Sequence, residues 1–291
     1  MRRYLTLGIA FVTAGAVFTA GALAVTNVNH STTRGTFTPS TIPAGKFKPG
    51  ALHVTDTTVY ANNGGTPQNP TKEPDPTTHV NQFFDNSSKI TVNAGLPSCT
   101  EATLTNTTTA QAEAACGPGS GNNAEVTLDA AGNSKPGSAV ACVAGGTGTP
   151  CGALAQGVVT GFNGNKLSQG TGRCTSAPTG GCPTILLHTR VGAPLNVTLV
   201  LVGVVNKTAV GDFGYRLDVP VDPLAGFASA LTYFDVTVQR KWTFNGHNYN
   251  YLKATCNDAD HKWNYQADYT YHDGSPPATE TATSAQTCTA S

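Results

Sequence analysis

The segment that most constrains the fold is a strict alternation of apolar and polar residues near the C-terminus. Its apolar positions are Trp263, Tyr265, Ala267, Tyr269 and Tyr271. A period of two places these side chains on one face of an extended strand and the polar side chains on the other. An aromatic face of this kind normally points inward when a sheet packs against another layer. The segment therefore predicts a β-strand with one buried face.

The same strand signal recurs through the second half of the chain. Four more segments combine β-branched residues with alternation or an unbroken apolar run, namely 184–190, 195–205, 215–221 and 231–240. Asn245-Gly246 then separates two strand-like segments, and this dipeptide is the strongest short-range signal for a hairpin. This half of the chain is typical of an antiparallel meander.

Composition favours a mainly β protein with little helix. Thr, Gly, Asn and Val are abundant and only 12% of the 291 residues are charged, which excludes helical bundles and coiled coils. One short helix is predicted at about 109–115, because Thr108 and Gln111 match a capping box. Gly117 and Pro118 supply the stop. We expect an antiparallel β-sandwich or partly closed barrel with one short, disulfide-tethered helix.

The N-terminus has the pattern of a signal peptide. Arg2 and Arg3 precede a mostly apolar stretch that ends in small residues at Ala24, so we expect cleavage after Ala24. The alternative is an uncleaved anchor, since the segment 5–25 is long enough to span a bilayer. No basic stop-transfer cluster follows it. We expect a secreted or cell-surface protein without a membrane span after cleavage.

The charge balance limits the possible partners. The chain carries 17 basic and 17 acidic side chains, and removal of Arg2 and Arg3 with the signal peptide leaves a net charge of about −2. So few Lys and Arg side chains cannot neutralise a run of phosphates. A nucleic-acid partner is therefore not expected.

Turn-forming residues divide the mature chain. Residues 25–50 lack apolar periodicity and are predicted to be a flexible leader. Residues 51–291 are predicted to form one domain. Gly- and Pro-rich loop insertions are expected within it near 62–78, 130–157 and 168–183.

Eight cysteines in an exported chain indicate disulfides. Their spacing favours sequential pairing, which joins Cys99 to Cys116, Cys142 to Cys151, Cys174 to Cys182, and Cys256 to Cys288. A structural zinc site is the competing interpretation. Zinc motifs use close C-x2-C to C-x4-C pairs, and the shortest spacings here are 8 and 9 residues. We expect no cofactor.

Several strings in the chain resemble a group of uncharacterised exported actinobacterial proteins. They include LPSCTEATLTNTTTAQAEAACG, GDFGYRLDVPV and FASALTYFDVTVQRKWTFNGHNYNYLKATC, and the likeness covers roughly 96–288. Cysteines recur in that group at the positions of Cys99, Cys116, Cys256 and Cys288, whereas the four middle cysteines are additions here. The resemblance implies an exported β protein and no activity.

Two clusters are candidate binding sites. Asp258, Asp260 and His261 lie together in one segment and offer ligands for a metal such as Ca²⁺, although the D-x-[DN]-x-[DN]-G pattern is not met. A solvated turn is the alternative. The second cluster is aromatic and offers a stacking surface for sugars, unless its members belong to the core; it comprises Trp242, Tyr249, Tyr251 and Trp263.

Catalytic motifs do not emerge from the sequence. G-x-S-x-G, H-E-x-x-H and the phosphate-binding glycine patterns do not occur. We therefore expect a structural or binding protein of unknown ligand. The alternatives are an extracellular hydrolase with a site assembled from distant residues, and a carbohydrate-binding module whose partner is a cell-wall or extracellular glycan.

Overall fold

The structure is a computed structural model that describes residues 28–91, 95–178, 180–256, 260–273 and 277–291. The predicted signal peptide, residues 1–24, lies outside the described residues. Within the described ranges, none of the helices has the length and apolarity needed to span a membrane.

Short strands account for most of the described chain. In chain order they are β1 Asn29–Thr38, β2 Thr41–Ile42, β3 Lys48–Pro49, β4 Ala51–Tyr60, β5 Thr77–Asp85, β6 Ser88–Ile90, β7 Gly137–Val143, β8 Ala153–Asn163, β9 Thr184–Val191, β10 Thr198–Val210, β11 Phe213–Pro220, β12 Ser229–Val238, β13 Lys241–Phe244, β14 His247–Asn250, β15 Leu252–Ala254, β16 Lys262–Tyr271, β17 Thr279–Thr287 and β18 Thr289–Ala290. The helices are α1 Glu101–Leu104, α2 Thr109–Cys116 and a 3-10 turn at Leu224–Phe227.

Eleven of these strands form one antiparallel sheet. Its order is β1-β4-β12-β7-β8-β9-β10-β11-β5-β16-β17. The two outermost strands, β1 and β17, lie against each other, so the sheet curls round until it is nearly closed. Of the two architectures predicted from the sequence, the partly closed barrel describes this sheet better.

Side chains rather than a backbone ladder join the two edges. Backbone N–H groups of β1 donate to side chains of β17, from Ser31 to Glu280 over 2.9 Å and from Gly35 to Ser284 over 3.3 Å. The close approach requires a glycine, because a Cβ on Gly35 would overlap the ring of Tyr265 on β16. These two edge donors of β1 thereby have partners without a twelfth strand.

The predicted flexible leader at 25–50 is wrong where the structure describes it. Asn29–Thr38 is strand β1, paired along its whole length with β4, and the sheet therefore begins at Asn29 rather than at residue 51. The inward residues Ser31 and Thr33 are small and polar, so the strand lacks an apolar alternation. Ser31 is held by hydrogen bonds to the hydroxyls of Thr58 and Tyr271.

The predicted loop at 130–157 is also wrong in part. It contains strand β7 and the start of β8, and its disulfide-closed loop is limited to residues 144–152. The buried Ala139 and Ala141 explain the error, because small residues packed in a sheet centre have the composition of a loop. The expected loop at 168–183 contains no strand among its described residues.

The predicted helix is confirmed, with one addition. Helix α2 begins after Thr108, whose side chain and that of Gln111 complete the capping box. The one-turn helix α1, capped by Thr100, is an element that the sequence pattern does not predict. All four sequential disulfides are formed, and the Cys99–Cys116 bond ties the residue before the α1 N-cap to the end of α2.

Candidate functional site

The inner face of the sheet encloses an apolar cavity of about 110 Å³. Seventeen of its twenty lining residues have hydrocarbon side chains, and the other three are Asp56, Gln82 and Tyr251. Strand alternation produces this lining, because residues of one phase on β4, β5, β9, β10, β11 and β12 all point inward. The cavity is therefore an outcome of the whole sheet rather than of one motif.

An empty cavity of this size destabilises a folded protein. Residual cavities cost about 24 cal/mol per Å³, so this one costs roughly 2 to 3 kcal/mol. Total stabilities of domains are only about 5 to 15 kcal/mol. The void therefore lowers stability substantially unless something fills it, which makes it the first candidate for a binding site.

One end of the cavity carries a polar group. Asp56 on β4 accepts a hydrogen bond from the Tyr269 hydroxyl over 2.9 Å, and the Gln82 side-chain amide donates to its other oxygen. Burial raises the pKa of Asp56 to about 6, and the hydrogen bonds from Thr33, Tyr269 and Gln82 oppose the rise. The carboxyl joins the two sides of the barrel, because β4 and β5 are not neighbours in the sheet.

Tyr251 occupies the opposite end. It precedes Leu252, whose carbonyl accepts from the Gly50 N–H beside the start of β4. Leu52 and Asp56 lie four residues apart on that strand, about 13 Å at the rise of an extended chain. The hydrogen-bonded Asp56 and Gln82 thus lie toward one end of the cavity and Tyr251 toward the other.

The connection between β11 and β12 covers the barrel near the Asp56 end. These strands are five places apart in the sheet, so residues 221–228 cross from one side to the other. Leu224 of the 3-10 turn is buried, and the ring of Phe227 packs against His272 with ring centroids 3.8 Å apart.

A second cavity of about 40 Å³ adjoins the main cavity. It lies between Phe37, Trp263 and residues that also line the main cavity.

The four aromatic residues predicted to bind sugar are not all available. Tyr251 is 3% exposed and Trp263 is 1% exposed, so neither contributes to a surface platform. Both belong to the main hydrophobic core. Trp263 lies on the inward, aromatic face of β16, and Tyr251 lies between β14 and β15. Trp242 and Tyr249 instead stack on the β13–β14 hairpin at 5.6 Å, with 20° between their planes.

Two of the three predicted metal ligands lie in the described part of the chain. Asp258 lies outside the described residues, whereas Asp260 and His261 are exposed in a turn. The Asp260 carboxylate accepts from the Lys262 N–H over 3.1 Å, and His261 Nδ1 lies 3.9 Å from the disulfide sulfur of Cys256. Both contacts are ordinary features of a turn.

A different set of potential ligand atoms converges elsewhere. Atoms of Asp75, His272 and Asp273 lie within 4.8 Å of one another. Protein contacts account for them, since the Asp273 N–H donates to both oxygens of Asp75 at 3.0 and 3.1 Å and His272 Nδ1 lies 3.0 Å from Asp273. Burial raises the pKa of Asp75 to about 6.

One sequence signal points toward the cavity. Leu52, Val54 and Asp56 are alternate residues of the predicted strand 51–60 and therefore lie on one face of it. A carboxyl group thus falls on the apolar face of this strand. That pattern identifies a buried acid. It does not identify Gln82 and Tyr269 as the partners, because both are distant in the chain.

Comparison with known proteins adds nothing to this picture. The chain matches no protein-family model, no curated protein and no solved structure. The residues and their geometry are therefore the only basis for assigning a function.

Proposed function

We propose that this protein is an exported binding protein that holds a small hydrophobic molecule inside its nearly closed sheet. The observation that carries the proposal is the apolar cavity of about 110 Å³. An engineered apolar cavity of about 150 Å³ in another protein stays dry and binds benzene or xenon. A cavity of comparable size with a hydrocarbon wall has the same preference for apolar guests.

Four disulfides indicate a protein of an oxidising compartment and fit an extracellular location. We propose that the chain reaches it through a signal peptide cleaved after Ala24, as the pattern of the N-terminal residues indicates. N-terminal sequencing of protein from the culture medium tests this. A mature chain that begins at Val25 is expected, and a chain that retains residues 1–24 in the membrane fraction would contradict it.

Benzene is a suitable probe for the cavity. We expect it to produce saturable shifts in the methyl resonances of Leu187 and Leu201 and not in those of Val158, an exposed residue of β8. Leu187→Phe places a ring in the cavity and should abolish the shifts at Leu201. Val158→Phe adds the same side chain to the surface and should leave binding unchanged.

Two results would overturn the proposal. One is the absence of saturable shifts in the wild-type protein at benzene concentrations near its solubility. The other is equal binding by Leu187→Phe and the wild type, since that places the bound benzene outside the cavity. If benzene binds as expected, mass spectrometry of an organic extract of the secreted protein would identify its natural guest.

Glycan binding is a second candidate because of the β13–β14 hairpin. Trp242 and Tyr249 form a stacked, half-exposed pair there, and Phe244, which is 39% exposed, lies outside this stack. Aromatic faces of this kind are suited to stacking on sugar rings. Trp242→Ala should abolish retention on purified cell-wall polymer, whereas Phe244→Ala should retain it; equal retention by both variants would remove this candidate.

The hydrolase alternative gains no support from the cavity. Its described lining contains neither Ser nor His, and the single carboxyl of Asp56 is engaged by Tyr269 and Gln82. Acyl transfer needs a nucleophile and a base within hydrogen-bond reach. We therefore do not assign a reaction to this site.

A further inference from the structure

One polar group of the cavity lining makes no hydrogen bond to the described residues. Tyr251 is 3% exposed and lines the cavity, and its hydroxyl makes no hydrogen bond to the part of the chain that the structure describes. A buried hydroxyl without a partner destabilises the folded state. A polar atom of a bound molecule would give this hydroxyl a partner inside the cavity.

The backbone holds Tyr251 in place from both sides. Its N–H donates to the carbonyl of Arg240 over 2.9 Å, and its carbonyl accepts from the N–H of Thr91 over 2.8 Å. The phenol therefore extends from a fixed main chain. A rigidly held hydroxyl loses little entropy when it forms a hydrogen bond to a guest.

The other lining residues determine which charge a guest can carry. No Lys, Arg or His is among the described residues around the cavity. The one carboxyl, Asp56, already accepts hydrogen bonds from Tyr269 and Gln82. A carboxylate guest would lose its hydration without gaining a cation as its partner.

We propose that the natural ligand is a small uncharged molecule with one hydroxyl or carbonyl group, which hydrogen-bonds to Tyr251. Its hydrocarbon body is about the size of a single aromatic ring and fills the rest of the cavity. This inference rests on the proposed function, because it specifies the class of molecule that the same cavity binds.

Four probes in water at pH 7 distinguish apolar, hydroxyl-bearing, anionic and cationic guests. They are benzene, phenol, benzoate and benzylamine. We expect phenol to bind at least as tightly as benzene, and benzoate at least tenfold more weakly than phenol. In Tyr251→Phe the affinity for phenol should fall about tenfold, since its hydroxyl then has no partner, while that for benzene stays the same. Titration calorimetry and methyl shifts give both affinities.

A second measurement shows whether Tyr251 has a purely structural role. Because its hydroxyl makes no hydrogen bond to the described residues, Tyr251→Phe should not lower the melting temperature of the free protein and should raise it slightly. Tyr269→Phe is the matched control: it removes a hydroxyl that is hydrogen-bonded to Asp56. It should lower the melting temperature and leave the ratio of phenol to benzene affinity unchanged.

The outcomes distinguish this inference from the proposed function. Failure of all four probes to bind contradicts the function itself. Binding of benzene with phenol at least tenfold weaker, or an equal loss of phenol and benzene affinity in Tyr251→Phe, contradicts only the role of Tyr251. Tightest binding by benzylamine would place the anchor at Asp56 and overturn the inference.

Discussion

The two faces of strand β9 differ in how they are filled. On the inner face, Ile185 and Leu187 line the cavity. On the outer face, Leu186 and His188 are buried beneath the helical segment that contains α1 and α2. The same strand therefore supports a packed layer on one side and an incompletely filled space on the other.

The difference follows from what covers each face. The outer layer is a short segment closed by the Cys99–Cys116 disulfide, and it settles on the sheet with Leu104 and Ala112 fully buried. The inner face is covered by other strands of the same sheet, whose curvature is fixed by hydrogen bonding. A rigid barrel cannot collapse onto a void as a small helix can.

Truncation of the neighbouring leucines Leu186 and Leu187 should show the largest difference between the two faces. Leu186→Ala is expected to lower the free energy of unfolding by about 4 kcal/mol, and Leu187→Ala by about 2 kcal/mol, within the usual range for buried leucines. Leu187 already faces a void, so its removal loses fewer contacts. Urea denaturation of both variants measures the two costs, and equal costs would contradict a difference in packing.

Enlargement at the same two positions should destabilise the outer layer and leave the inner face little changed or more stable. Leu186→Phe overfills the layer under α2 and should cost about 1 to 3 kcal/mol. Leu187→Phe adds volume to the cavity and should change stability by less than about 1 kcal/mol or increase it. Thermal unfolding of the pair is the check; a Leu187→Phe variant less stable than Leu186→Phe would show that the inner space is already filled.

The pH dependence of the inner face should come from Asp56. Its pKa is about 6 in the folded state, whereas an unperturbed aspartate has a pKa of 3.8. The folded state therefore binds the proton more tightly, and stability decreases as the pH rises from about 4 to 6. Asp56→Asn should reduce this decrease by about 1 to 3 kcal/mol. Urea midpoints at pH 4 and pH 7 test it, and an unchanged difference in the variant would contradict the assignment.

The outer face should respond to pH in the opposite direction. Burial lowers the pKa of His188 below its usual value of 6.5, and its Nε2 lies 3.2 Å from the Thr107 carbonyl. The unfolded chain then binds the proton more tightly, so stability falls as the pH drops below about 6.5. His188→Gln should remove this loss of stability at acidic pH, which is on the order of 1 kcal/mol. The urea series at pH 5 and pH 7 measures it in the variant and the wild type. If His188 titrated normally, the two proteins would lose the same stability between these pH values.

The sequence predicts the parts of this fold that depend on local patterns. The aromatic alternation gives β16 within one residue, and Asn245-Gly246 forms the expected hairpin turn with φ of 49° and 74°. The disulfides follow from spacing because each joins the nearest cysteines along the chain. These features need no knowledge of which strands become neighbours.

The missing features depend on contacts between distant segments. Ser31 of strand β1 is polar and points inward, and its partners Tyr271 and Glu280 lie 240 and 249 residues away. The cavity arises between faces that meet only after the sheet curls. The sequence presents Tyr251 as a sugar-stacking residue, and its neighbours in the chain give no sign that it lies inside the barrel.

Xenon uptake shows directly whether the inner face of the sheet contains an unfilled apolar cavity, because xenon binds apolar cavities without requiring a particular ligand chemistry. Crystals of the mature protein under xenon pressure should show one bound atom between Leu187, Leu201 and Phe234, and none under α2. Leu187→Phe crystals should show no xenon at that position. Absence of xenon from the wild-type interior, with side chains filling the space, would contradict the account.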